Sequence, residues 1–189
     1  MSTTRGGPRP AAARRGGGLD VPAPRVALTA TLVALALVAQ VTVLSRLGLP
    51  GAAPDIVLLV VVSLALAYGP TYGVVIGFAA GLGVDLVPPA DAEIGRWAFV
   101  LTIVGYLAGL ARDEARRSAF LPVTVVGVSS AVSVLLYALL AASLDDASVT
   151  WSAVSTMLPS AVVYEVALSA FAVPAVLALV HRVDPDRQR

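Results

Sequence analysis

The sequence contains no cysteine, no lysine and one histidine, His181. Without cysteine there are no disulfides, thiolate metal sites or thiol nucleophiles. His181 sits beside Arg182 at the end of the last apolar run, a place for an interfacial residue rather than a ligand. Charge is scarce, at 13% of 189 residues, where globular domains carry about a quarter. Aromatic residues are scarce as well, at 6%. What fills the chain is apolar: 58% of residues, with a mean hydropathy of +0.86. Such a chain is built for lipid, as one membrane domain. All thirteen basic residues are arginine, which reads as coding bias rather than chemistry.

The strongest internal pattern runs from Gly69 to Asp85, GPTYGVVIGFAAGLGVD. Glycines at 69, 73, 77 and 81 recur every four residues, and Asp85 continues the series. Four residues advance a helix by about 400°, so these positions form one slowly drifting stripe. In water each such glycine would cost roughly 0.5–1 kcal/mol. In lipid, close backbone approach is itself a source of attraction, and small residues at i, i+4 provide it. The stripe therefore reads as a helix-packing face, and a functional reading beside it adds Asp85 at its end as a contact for a partner or ligand. Gly105 and Gly109 form a second pair of the same kind.

Residues 1–24 mix Arg5, Arg9, Arg14 and Arg15 with glycine, proline and alanine, a composition expected to be a disordered cytoplasmic tail. A basic tail before an apolar helix reads as an orientation signal rather than a nucleic-acid arm. Residues 25–182 are expected to form six transmembrane helices, and 183–189 a short second tail. The first span, 26–44, is long enough to cross a bilayer and too long for a signal-peptide core. Residues 54–85 would be about 48 Å long as one helix, so Gly69-Pro70 is expected to break them into two short spans or a re-entrant hairpin. Gly95–Ala111 is the fourth span, RDEARR (112–117) a charged loop, 119–142 the fifth span and 153–180 the sixth. Pro174 is expected to bend the last of these.

Six spans place the tail, the 69–71 turn, the 112–117 loop and the C-terminus on one side, with 5, 0, 3 and 3 of the thirteen arginines. Only Arg46 and Arg96 fall on the other. The positive-inside rule then makes both termini cytoplasmic.

No nucleophile–base–acid set, metal-ligand spacing or cofactor loop stands out, so catalytic residues, metal and cofactor are all expected to be absent. The polar candidates within the membrane are Asp55, Asp85 and Glu165. An ionised carboxylate in lipid is costly, so Glu165 should face the bundle interior, either uncharged or supplied with hydrogen-bond donors. Ser130 and Ser133 on the fifth span are the nearest expected partners.

Pro54-Asp55, the following IVLLVVVSLALAYGPTYG, GFAAGLGVD (77–85), Gly95 and VGYLAG (104–109) together resemble the rod shape-determining protein MreD family. The resemblance covers roughly 26–180 and lies in the order and spacing of these elements rather than in one motif. It implies a non-catalytic, multi-pass inner-membrane component of the cell-elongation machinery. MreC-like and MreB-like proteins and a peptidoglycan polymerase with its transpeptidase would be its partners. The family's pattern is similar in outline to the six-helix substrate-binding subunits of energy-coupling-factor transporters. A vitamin-type transporter subunit is therefore the alternative, with Tyr106, Tyr137, Tyr164 and Glu165 as pocket candidates and Ala30 and Ala34 as a docking pair.

Overall fold

A computed structural model describes residues 22–42, 54–87, 94–118, 120–144 and 150–184. These are helical and contain no strand. The expected N-terminal tail lies almost wholly outside the described residues, as do most of the 86–93 connection and residues 145–149 of the next one. The helices are α1 (Ala23–Thr42), α2 (Ile56–Tyr68), α3 (Pro70–Leu86), α4 (Arg96–Leu110), α5 (Arg112–Ala115), α6 (Leu121–Ser143) and α7 (Trp151–Val183).

The centre of the bundle is α2. Its sequence, IVLLVVVSLALAY, is apolar all round, and all but two of its thirteen residues are buried. A helix without a polar face has no surface to give to water and belongs inside. It packs against α1, α3, α4, α6 and α7. Ser63, its one polar residue before the terminal tyrosine, donates to the Leu59 carbonyl and so stays satisfied at zero exposure.

Three helices are long and apolar enough to cross a bilayer, namely α1, α6 and α7, with 20, 23 and 33 residues. The other three apolar helices, α2, α3 and α4, have 13, 17 and 15 residues. By length alone they fall short of a typical span of about 20 residues. The long helices carry large apolar side chains on their outer faces, among them Leu35, Leu139, Val163 and Phe171. Together these features describe a membrane-integral bundle.

The break at Gly69-Pro70 falls where the sequence places it. Gly69 has φ +94, a region that side-chain-bearing residues rarely adopt, and Pro70 follows at the first position of α3. Two expectations need adjustment. The 112–117 segment, read as a loop, begins with the one-turn helix α5. The last span is longer than 153–180, and α7 carries Pro159 and Pro174 inside one continuous 33-residue helix.

Candidate functional site

The glycine stripe lies against α4, backbone to backbone. A Cβ built on Gly73 would come within 2.1 Å of the Gly105 carbonyl oxygen, and one on Gly105 within 2.2 Å of the Gly73 oxygen. On Gly77 it would meet the Leu101 oxygen at 2.1 Å, and on Gly81 the Ala98 Cα at 2.4 Å. Gly109 closes the seam at the other end, where a Cβ would lie 2.4 Å from Pro70 Cα. No side chain larger than hydrogen fits these places without moving a helix. Gly69 differs from the others: a Cβ there has only Arg112 nearby, at 3.6 Å, so its role is the turn.

Asp85 caps the seam. Its carboxylate, 6% exposed, accepts from the backbone N–H groups of Gly95 (2.9 Å), Trp97 (3.1 Å) and Ala98 (3.1 Å). These are the orphan donors at the start of α4, and a carboxylate there also faces the positive end of the helix dipole. Gly95, at φ +103, turns the chain into position. Asp85 is thus occupied by its own chain, and its end-of-stripe position comes from joining α3 to α4. Beside it the buried Arg96 guanidinium lies 5.2 Å from the Tyr137 ring centroid, and Trp97 stacks against the same ring at 5.1 Å.

A second polar cluster surrounds the start of α2. Asp55 is the N-cap and accepts from the Leu58 N–H at 3.0 Å. Its own N–H donates to Glu165 Oε1 at 2.5 Å, and the Ile56 N–H donates to Gln40 Oε1 at 2.9 Å. Side chains from α1 and α7 therefore satisfy the first amides of a helix buried on all sides. Glu165 does face the interior, at 2% exposure, but its partner is not on α6. Ser133 instead donates to the Ser130 carbonyl within its own helix. The expectation paired Glu165 with α6 from helical depth alone; depth cannot rank a serine hydroxyl against an exposed helix N-terminus that needs acceptors. Gln40 was not anticipated, and the available signal was an amide inside an otherwise apolar run.

At the opposite end, Arg25 of α1 forms an ion pair with Asp184 just beyond α7. Its guanidinium lies 5.0 Å from the Tyr68 ring centroid and 5.8 Å from that of Tyr72. Arg112 reaches the Gly69 turn there, and His181 and Arg182 lie in the last turn of α7.

The tyrosines named as pocket candidates do not converge. Tyr106 is 46% exposed on α4, and Tyr137 stacks on Trp97. Neither these two nor Tyr164 and Glu165 line the three principal cavities. Ala30 and Ala34 do line an apolar groove between α1 and α3. Among the described residues no group of three or more His, Asp and Glu is placed to hold a metal ion.

A family model described as rod shape-determining protein MreD matches residues 25–183, which takes in α2 to α7 and all of α1 but its first two residues. No curated protein and no solved structure matches the chain.

Proposed function

The chain belongs to the MreD family, and from that premise we propose that it crosses the inner membrane six times as a non-catalytic scaffold for peptidoglycan synthesis. In this reading the α2–α3–α4 unit is the rigid centre, and the outer faces of the long helices meet lipid and partner proteins. The partners are MreC-like and MreB-like proteins and the peptidoglycan polymerase with its transpeptidase. The observation that carries the reading is the family match across nearly the whole helical bundle. The glycine seam supports it, because a backbone-to-backbone lock fixes geometry without building a reactive site.

Both termini are cytoplasmic in this reading. Support comes from the placement of Arg25, Arg112, Arg116, Arg117 and Arg182 at one end of the bundle, with Arg96 and the Asp55 and Asp85 caps at the other. An impermeant thiol reagent added to intact cells should label Ser152→Cys and leave Ser118→Cys untouched, and the reverse pattern would refute the orientation. The function itself is tested in a cell whose own family member has been deleted. The chain should restore rod shape and, solubilised in detergent, retain the MreC-like protein. Restored shape with no wall-synthesis protein retained would refute scaffolding.

A further inference from the structure

A cavity of about 390 Å³ opens at the arginine-bearing end of the bundle, between the α2 C-terminus, α5, the start of α6 and the end of α7. Its walls are of two kinds. Leu66, Pro122, Leu177 and Val180 make one part apolar, while Arg112, Arg116 and His181 bring basic groups to the other. Arg112 and Arg116 stand one turn apart across the one-turn helix α5, so both reach the same side. The lining also includes one acid, Asp184, which pairs with Arg25 of α1. The acids of α5, Asp113 and Glu114, are exposed and outside the lining.

We propose that this cavity binds a phosphate-bearing anion through Arg112, Arg116 and His181. Guanidinium groups give paired, planar donors that match phosphate oxygens. An open cavity between membrane helices with a basic rim and an apolar wall suits an anionic lipid headgroup whose chains continue along the protein. A free phosphate would use the same rim and leave the apolar wall unused. The α1–α3 groove offers the contrast, since Val33, Leu37 and Ile76 line it with no charged residue.

The full-length protein, purified in detergent, is mixed with equal amounts of phosphatidylglycerol and phosphatidylcholine of the same chain length, and retained lipid is read by native mass spectrometry. Inorganic phosphate at constant ionic strength, read by thermal denaturation, forms the second arm. The wild type should retain the anionic lipid over the zwitterionic one by about tenfold. Arg112→Gln/Arg116→Gln should abolish that preference, whereas Arg117→Gln/Arg182→Gln, with the same charge change outside the cavity, should keep it. Stabilisation by inorganic phosphate alone, lost in the same double variant, would assign the site to free phosphate. Arg116 is exposed, so Arg116→Gln alone carries the test if the double variant does not fold, with a several-fold loss of preference expected. Equal retention of the two lipids by wild type with no phosphate effect, or an equal loss in the Arg117/Arg182 control, would overturn the proposal.

Discussion

The short helices α2, α3 and α4 and the long helices α1, α6 and α7 solve the same solvent problem in opposite ways. The most apolar windows of α1, α6 and α7 are only 6%, 33% and 22% buried, and each helix is at least long enough to cross a bilayer. In the proposed reading their outer faces meet lipid, so packing constrains fewer of their positions. The short helices fall below the usual span length and give at least one face to one another. Burial of α2 is almost complete, and α3 and α4 approach until carbonyl oxygens occupy the places of Cβ atoms. Where lipid supplies no hydrophobic drive between helices, that approach is what holds them together. The contrast places the sequence-sensitive positions in the short helices.

Substitution along the seam should have the largest effect. Gly77→Leu inserts a side chain where the Leu101 oxygen stands, and overpacking of this kind costs about 1–3 kcal/mol or more. Folded protein recovered from membranes should fall severalfold. Val75→Leu, on the outward face of the same helix at 55% exposure, should leave recovery within error. Equal tolerance of both variants would erase the distinction between the two groups of helices.

The caps come next and sharpen the comparison, because among the described residues it is the short helices α2 and α4 that begin against buried carboxylates. Asp85→Ala strips acceptors from three backbone N–H groups and should cost about 2 kcal/mol, lowering the denaturation midpoint in detergent. Glu165→Leu leaves the Asp55 N–H without its acceptor and should cost about 1 kcal/mol. Glu165→Gln keeps an acceptor oxygen and should be the mildest of the three. It should also leave rod-shape complementation intact; a folded Gln variant without function would assign Glu165 a role beyond structure.

Much of this contrast was legible in the sequence. The four-residue glycine period implies a packed face because helical geometry converts spacing directly into position. The Gly69-Pro70 break follows from two residues with strong backbone preferences, and the arginine asymmetry follows from counting. Which helix a stripe meets is not local information. The pairing of Gly73 with Gly105 becomes apparent only when α3 and α4 lie side by side. The partners of Glu165 were misread for the same reason: residues 55 and 165 are joined by the way α7 passes the start of α2. The partners of Gln40 and Arg25 are equally beyond the sequence, because a lone polar residue in or beside an apolar run has no spacing pattern to reveal its partner.

The central claim is that α3 shows one face to α4 and the bundle and the other to lipid. The cysteine-free chain allows this to be measured with single introduced cysteines and a membrane-permeant thiol reagent in native membranes. Val75 and Phe78 are 55% and 51% exposed, whereas Ile76 and Ala80 are 4% and 0% exposed. Val75→Cys and Phe78→Cys should react, if slowly, in the folded protein because a lipid-facing thiol stays largely protonated, and Ile76→Cys and Ala80→Cys should react only after denaturation. Uniform reactivity at all four positions, or reaction at 76 and 80 with protection at 75 and 78, would contradict the account.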